Sequence, residues 1–322
     1  MKNKGMARLL KEHYLFASPK ITNILLNNNR GVWKVKEANK EYMLKLISIK
    51  TGFPVVLNYE LGKKDLMPKV VKTRDGALFV KENGKYVFVT EWIKTEKGEK
   101  QIKDPIEYVK AVANFHREAQ FPQRFQSNVK PRILIKTKDD WLNIYREMSN
   151  KLYALKAGVK NEKLEKSFVD VIQIGEEMIK TMEAMNLDHY IEEAQHLGTV
   201  VHLDFNNANI LISTEQKPII IDLDRAHISP QVCDFHLLLP TLLKMGAKVE
   251  NLYQLLELYF TVYPNSRKYK LIYLKVCQFP HFFLKIAERT VKKLGDINLA
   301  ADELIDIHSI ELKKNELIKH WL

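Results

Sequence analysis

Residues 200–212 read VVHLDFNNANILI, and residues 218–224 read PIIIDLD. Two short apolar runs rich in β-branched residues, 210–212 and 219–221, are separated by the polar segment 213–218. Such runs on either side of a polar turn predict a β-hairpin with buried strands. This hairpin decides the fold because polar residues flank it in a specific order.

Asp204 and Asn209 lie in the loop before the first hairpin strand, and Asp222 ends the second strand. Antiparallel pairing of the strands brings Asp222 alongside Asn209, although the two are distant in sequence. A carboxylate and an amide oxygen can share Mg²⁺, which is held in proteins by one or two carboxylates plus substrate phosphates. Asn209 and Asp222 are therefore predicted metal ligands, and Asp204 is available for another role.

The order of these residues matches a known template. In protein kinases a catalytic-loop Asp accepts the proton of the attacking hydroxyl, an Asn of that loop binds metal, and a later Asp after a strand binds metal again. His202, Asp204, Asn209 and Asp222 supply this order and spacing. The pattern resembles the signatures of the aminoglycoside phosphotransferase and choline kinase superfamily. The resemblance implies an ATP- and Mg²⁺-dependent enzyme in which Asp204, Asn209 and Asp222 are catalytic.

Composition indicates a globular protein large enough for two lobes, with 322 residues of which 46% are hydrophobic. Only two cysteines occur, Cys233 and Cys277, which argues against a disulfide framework and suits a reducing cytoplasm. No window approaches the twenty or so apolar residues of a membrane span. We therefore expect synthesis in the cytoplasm and no membrane span.

Positive charge is concentrated in the N-terminal part. Residues 1–100 hold 21 Lys and Arg against 10 Asp and Glu, whereas the remainder holds 30 against 29. This excess favours an anionic nucleotide or a polyanionic surface as partner. Scattered solvated lysines are the alternative explanation, and no nucleic-acid-binding motif is present.

Residues 20–47 predict three antiparallel strands, and Lys45 is the lone charge in the apolar core of the third. The kinase resemblance assigns Lys45 to the nucleotide phosphates. The turn that would cover the phosphates contains only Gly31, preceded by Asn27, Asn28 and Asn29. Glu60, on a predicted helix over 53–62, is expected to pair with Lys45, with an ordinary surface glutamate as the alternative.

Residues 68–93 predict a β-meander, with a strong hairpin signal at Asn83-Gly84. Its pattern of Thr73, Gly76 and Gly84, followed by EWI at 91–93, resembles the CotS-type spore coat proteins of the same superfamily. In kinase-like folds this strand runs into the hinge that binds adenine. The resemblance therefore implies that the carbonyl of Glu91 and the amide of Ile93 bind the base.

We predict an α+β, two-lobed, protein-kinase-like (aminoglycoside phosphotransferase-like) fold. Its parts are a β-rich N-lobe over 1–93, a hinge over 94–103 and a helical C-lobe over 104–322. Asp104 to Glu107 form a capping-box pattern that starts the first C-lobe helix. Apolar residues at helical spacing predict further helices over 138–156 and 161–185.

Two further C-lobe features have alternative explanations. Asp234 matches the residue that braces the catalytic loop in this superfamily, and it is also a favourable carboxylate at a helix start. The acidic residues Asp188, Glu192 and Glu193 could hold a cationic substrate as in aminoglycoside kinases, or simply form a solvated helix face.

The predicted function is phosphoryl transfer from ATP to a hydroxyl of an unidentified small molecule. The CotS resemblance adds an association with the spore coat and its proteins. Two alternatives remain open: a catalytically silent coat component with the kinase fold, and a nucleotide sensor without transfer. Leu203, Asn206 and Asn207 favour the silent component, because superfamily kinases often carry Gly and His-Pro there.

Overall fold

The computed structural model describes residues 3–26, 30–47, 52–82, 84–95, 101–125 and 129–322. The predicted asparagine turn at 27–29, Asn83 of the hairpin turn and residues 96–100 of the predicted hinge lie outside these residues. The chain divides into two compact units. Unit 1 comprises Met1–Ile102, Glu118–Arg132 and Asn207–His227, and unit 2 comprises Lys103–Arg117, Ile133–Asn206 and Ile228–Leu322.

The described part of unit 1 contains an antiparallel sheet, two α-helices and a separate hairpin. Its elements are α1 (Asn3–His13), β1 (Lys20–Leu26), β2 (Arg30–Glu37), β3 (Lys40–Ile47), α2 (Phe53–Gly62), β4 (Val70–Val71), β5 (Val80–Glu82), β6 (Lys85–Glu91), β8 (Ile210–Ile212) and β9 (Pro218–Ile220). The sheet order is β1-β2-β3-β6-β4, and β5 also pairs with β6. This confirms the predicted antiparallel sheet.

One face of the sheet is covered by α1, whose helical spacing brings Met6, Leu9 and Leu10 to the same side. These side chains pack against Trp33 of β2 and Leu44 of β3 in a single buried cluster. Burial of this apolar surface is the main stabilising contribution within unit 1. Pairing of β3 with β2 and β6 places Lys45 opposite Val32 and Phe88.

The hairpin joins unit 1 through backbone hydrogen bonds at both of its strands. The amide of Ile220 donates to the carbonyl of Leu66 at 2.8 Å, and the amide of Ile102 donates to the carbonyl of Ile210 at 3.3 Å. These contacts explain why residues 207–227 group with unit 1, whereas the predicted lobe boundaries assigned them to the C-lobe.

Unit 2 is mainly helical. Its elements are α3 (Pro105–Glu118), α4 (Lys138–Lys156), α5 (Glu162–Ala184), α6 (Asp188–Leu197), β7 (Val200–Val201), α7 (Phe235–Lys244), α8 (Leu252–Val262), α9 (Lys270–Gln278), α10 (His281–Leu294) and α11 (Ala301–Trp321). A short strand, β10 (His227–Ile228), lies where the chain passes from unit 1 into unit 2. The helices predicted over 138–156 and 161–185 are confirmed nearly to the residue.

The start of α3 differs in detail from its predicted capping box. The Asp104 carboxylate accepts the amide of Ile106 at 2.8 Å, as a helix cap should. Glu107 instead pairs with Lys110 at 2.8 Å. In the described part of the chain, no helix is long and apolar enough to cross a membrane.

Candidate functional site

The hairpin of unit 1 positions the predicted metal ligands. Ile210 pairs with Ile220 in the β8–β9 ladder. Beyond the ladder, the amide of Ile221 donates to the carbonyl of Asn209 at 3.0 Å. Asp222 is the next residue, so its backbone and that of Asn209 lie at the same end of the hairpin. The predicted adjacency of these two residues is confirmed at the level of the main chain.

Asp222 has a left-handed backbone, with φ +67°. This conformation is uncommon outside glycine, and aspartate tolerates it better than most residues. The turn directs its Oδ1 to within 2.6 Å of the Lys45 ammonium, while Asp224 Oδ1 lies 2.7 Å from the same nitrogen. Two carboxylates of one tight turn therefore converge on one cation.

Lys45 is only 6% exposed, and its β3 neighbours Leu44 and Leu46 are also buried. A buried ammonium is tolerated only when opposite charges and hydrogen bonds compensate for its lost hydration. Asp222 and Asp224 provide that compensation. Lys45 is thus held at the predicted metal end of the hairpin; its role toward nucleotide phosphates stays a prediction.

The predicted pairing of Lys45 with Glu60 is wrong in this structure. Glu60 accepts hydrogen bonds from Lys63 at 2.8 Å and from Arg124 at 2.6 Å. Lys63, the C-cap residue of α2, follows Glu60 by three residues, a spacing at which side chains meet. The Glu60 carboxylate therefore binds Lys63 and Arg124, whereas Lys45 binds Asp222 and Asp224. Glu60 is not an ordinary surface glutamate either, since its side chain is only 15% exposed.

Two residues of this site were not singled out from the sequence. Asp224 could have been found, because it forms an Asp-x-Asp pattern with Asp222. Arg132 could not, because it is far away in sequence and carries no motif. Its guanidinium donates to the main-chain carbonyl of Asp224 at 2.7 Å. That contact fixes the turn that presents both aspartates.

Glu91 and Ile93 lie at the end of β6 and line a cavity of about 430 Å³ within unit 1. The amide of Glu91 donates to the carbonyl of Lys69 at 2.9 Å. The following amide, that of Trp92, donates to the carbonyl of Glu41 at 3.1 Å. The predicted contacts of Glu91 and Ile93 with adenine stay predictions.

Within unit 2, Asp234 holds the loop that contains Asp204. Its carboxylate accepts the amides of His202 at 2.8 Å and Leu203 at 2.6 Å. Its Oδ2 also lies 2.9 Å from His116 Nε2, and the other ring nitrogen of His116 lies 2.8 Å from the Tyr259 hydroxyl. The bracing role predicted for Asp234 is confirmed by these contacts.

Asp234 is fully buried and yet remains acidic. Burial on its own would raise the pKa of this carboxyl, but the hydrogen bond from His116 and the amide of His202 outweigh burial and lower its pKa below the ordinary value of 3.8. The ionised carboxylate can therefore accept all three hydrogen bonds at neutral pH.

The loop that Asp234 holds contains a strained backbone conformation, which persists only with support from the surrounding structure. Leu203 has φ +59°, a conformation in which the Cβ of an L-residue is strained. On the other side of Asp204, the carbonyl of Phe205 accepts the hydroxyls of Tyr108 at 3.2 Å and Thr241 at 3.4 Å. Asp204 is half-buried between these two anchor points.

The chain matches a known family and shares its fold with several solved structures. The model of a phosphotransferase enzyme family (APH) matches residues 28–269. An aminoglycoside phosphotransferase from Alicyclobacillus acidocaldarius is 15% identical with a TM-score of 0.64, over 94% of this chain and 90% of that one. Choline kinase from Cryptosporidium parvum is 13% identical with a TM-score of 0.57, over 99% and 97%.

A spectinomycin phosphotransferase in complex with ADP and spectinomycin is 12% identical, with a TM-score of 0.56 over 97% of this chain and 99% of that one. Identities this low show a shared fold, and they confirm the predicted kinase-like architecture. No curated protein matches the chain. The family model spans well over half of the 322 residues and includes the hairpin, Lys45 and Asp234. The chain therefore belongs to the phosphotransferase enzyme family.

Proposed function

We propose that the protein transfers the γ-phosphoryl group of ATP to a hydroxyl of a small molecule, with Mg²⁺ as the metal. The observation that carries this proposal is the convergence of Asp222 and Asp224 on the buried Lys45 ammonium, at 2.6 and 2.7 Å. Phosphoryl transfer requires mainly positioning and charge neutralisation, and a lysine beside the predicted metal ligand Asp222 would serve both needs.

The residues present fit a magnesium ion. Across the described residues, no three His, Cys, Asp or Glu side chains form a metal-binding group. Mg²⁺ does not need one, because it is commonly held by one or two carboxylates, water and substrate phosphates. Asn209 and Asp222 would hold it, and the aspartate pair already attracts one cation, Lys45. When bound, the ion would neutralise charge on the β- and γ-phosphates.

Groups of the protein would accept the proton and bind the phosphates and the adenine. Asp204 would accept the proton of the acceptor hydroxyl while that oxygen forms a bond to the γ-phosphorus. The bond between the γ-phosphorus and the β–γ bridging oxygen breaks, and ADP leaves with the bond electrons. Lys45 would bind the α- and β-phosphates, and Glu91 and Ile93 would bind adenine through their main-chain groups.

We also propose that the protein belongs to the CotS-type branch, is made in the cytoplasm and associates with the spore coat and its proteins. The support is the sequence pattern over 73–93. A catalytically silent coat component is the second candidate, and the specific observation in its favour is the strained Leu203 in the catalytic loop. Proteomic analysis of a purified coat fraction tests the location.

Thermal unfolding with and without ATP and Mg²⁺ tests the nucleotide site. A ligand that binds only the native state at one hundred times its Kd adds about 2.7 kcal/mol of stability. We expect a magnesium-dependent rise in Tm that Asp222→Ala abolishes. Asp75→Ala, at an exposed aspartate of unit 1, is the matched control and should keep the rise.

Transfer itself is tested with γ-labelled ATP and a panel of hydroxyl compounds, comparing wild type with Asp204→Asn. Nucleotide binding without label transfer to any compound would favour the silent component. No change in Tm at millimolar ATP would overturn the proposed function as a whole.

A further inference from the structure

Lys45 lies on the face of the sheet that α2 covers. Leu44, the preceding residue, belongs to the buried cluster on the α1 face, and successive side chains of a strand point to opposite faces. On the other face, Ile47 packs with Val55 of α2 and Phe88 of β6. Phe88 is directly opposite Lys45 in the β3–β6 ladder. The Lys45 side chain therefore leaves the sheet at its interface with α2.

Asn58 of α2 faces the same interface. It follows Val55 by three residues, a spacing that places two side chains on one face of a helix. Further along, the end of α2 at Gly62 lies beside the residue that precedes β4, and β4 pairs with Thr90 of β6. The helix also packs against the turn that contains Asp224. Asn58 therefore lies between these contacts, on the same side of the sheet as the lysine.

The hydrogen-bonding groups of Lys45 and Asn58 complement each other. An ammonium carries three N–H groups, and the structure describes two acceptors for that of Lys45, Asp222 and Asp224. Asn58 is 6% exposed, and its Oδ1 has no hydrogen-bond partner among the described residues. A buried oxygen without a partner destabilises the folded protein, so an apolar residue would be more favourable at this position. An unpartnered acceptor and an ammonium with a further N–H group thus share one interface.

Metal binding at Asp222 would weaken its contact with Lys45. Asp222 is the predicted magnesium ligand and the more exposed of the two aspartates, with 29% of its side chain exposed against 7% for Asp224. A carboxylate that also binds a divalent cation attracts an ammonium less, because the two cations repel each other. Asp224 would keep its contact, but the buried ammonium would need a second acceptor that does not bind the metal.

We infer that Asn58 positions Lys45 for nucleotide binding, and that its Oδ1 accepts a hydrogen bond from the Lys45 ammonium when Asp222 binds the metal. The inference rests on the proposed function, which provides the nucleotide and the metal. Asn58 then has the role on α2 that the sequence predicted for Glu60. With Asp224 and Asn58 as acceptors, one N–H group of Lys45 is left for the phosphates. The competing explanation is that Asn58 only fills space between α2 and the sheet.

Asn58→Leu, which replaces the amide by an apolar group of similar size, tests the inference. Without ligand, the Tm of this variant should equal or exceed that of wild type, because a buried oxygen without a partner is removed. With ATP and Mg²⁺, binding of ATP should be about tenfold weaker, the loss expected for one hydrogen bond to a charged group. Thermal unfolding and isothermal titration measure the two quantities. Asn58→Ala removes the same oxygen if leucine does not fit.

Two further variants separate positioning from a structural role. Asn58→Asp keeps an oxygen acceptor, so its Kd for ATP should stay within about threefold of wild type. Tyr59→Phe, at the neighbouring half-buried residue of α2, is the control and should change neither Tm nor Kd. In a Lys45→Met background, Asn58→Leu should have no additional effect on ATP binding, because the donor on which it acts is gone.

Failure of the inference and failure of the proposed function give different results. A Kd for ATP within about twofold of wild type in Asn58→Leu would overturn the inference alone. So would equal losses in Asn58→Leu and Asn58→Asp, or an additional loss in the Lys45→Met background, while ATP still raises the Tm of wild type. Absence of that rise in wild type would overturn the proposed function and the inference with it.

Discussion

The Lys45 ammonium lies 2.7 Å from the Asp224 carboxylate, with both side chains more than nine-tenths buried. Asp222, which is more exposed, binds the same nitrogen from the other end of the turn. The lysine therefore depends on a pair of aspartates that are distant in sequence, and the aspartates depend on it for charge compensation.

Lys45→Met should reduce the free energy of unfolding by about 2–3 kcal/mol, because two carboxylates lose the cation between them. The exposed Lys36 of β2 supplies the control, and Lys36→Met should change stability by less than about 0.5 kcal/mol. Chemical denaturation of both variants measures the difference. Equal stability of the two would show that the aspartates do not need Lys45.

Glu60→Gln should leave the Kd for ATP within about twofold of wild type, because Glu60 binds Lys63 and Arg124 and not Lys45. Lys45→Met should weaken ATP by at least about tenfold, as expected for the loss of a charged contact to phosphate. Isothermal titration with ATP and Mg²⁺ measures both. A large effect of Glu60→Gln would mean that Glu60 contacts Lys45 when nucleotide is bound.

Leu203→Gly should be about 0.5–1 kcal/mol more stable than Leu203→Ala, because both variants lose the half-buried leucine side chain but only glycine adopts the left-handed backbone at φ +59° without strain. The gain is the relief of strain minus the extra freedom of glycine in the unfolded chain. Leu203→Ala keeps the strain, so it should not stabilise. The two variants are compared by urea denaturation, and a more stable alanine variant would contradict this account.

Asp234→Asn should destabilise the protein by about 2 kcal/mol at pH 7, because His116 and two main-chain amides lose a charged acceptor. The pKa of Asp234 is lowered in the folded state, so its contribution is present above the ordinary value of 3.8 and is lost as pH falls through the folded pKa. Unfolding free energies measured from pH 7 to pH 3 should therefore differ by a constant amount well above pH 3.8, and the difference should begin to narrow as pH falls below that value. A constant difference across this range would refute the linkage.

Lys314→Met should destabilise the protein by about 3 kcal/mol, because Lys314 pairs with Glu311 in a fully buried site on α11. Lys314 also donates to the carbonyl of Phe279 at 2.9 Å, and Glu311 accepts the amide of Phe282 at the start of α10 at 3.0 Å. The adjacent Lys313 pairs with Glu250 at the surface. Lys313→Met should therefore cost less than about 1 kcal/mol, and similar losses for both lysines would contradict the burial argument.

Local patterns of the sequence were sufficient for much of the fold. Alternating apolar residues predicted β1, β2 and β3, and apolar residues at helical spacing predicted α4 and α5, because burial of one face follows directly from the period of each element. The apolar runs at 210–212 and 219–221 likewise predicted a hairpin that brings Asn209 and Asp222 together. These predictions depend only on residues that are close together in the sequence.

Contacts between segments that are distant in sequence could not be predicted from local patterns. Only the tertiary structure shows that Lys45 binds Asp222 and Asp224 and not Glu60, because Arg124 reaches Glu60 from another part of the chain. The same is true of the Arg132 contact to Asp224 and of the buried Lys314. The physical reason is that a buried charged side chain needs an ion-pair partner to compensate for its lost hydration. Tertiary packing, and not sequence spacing, determines which partner is within reach.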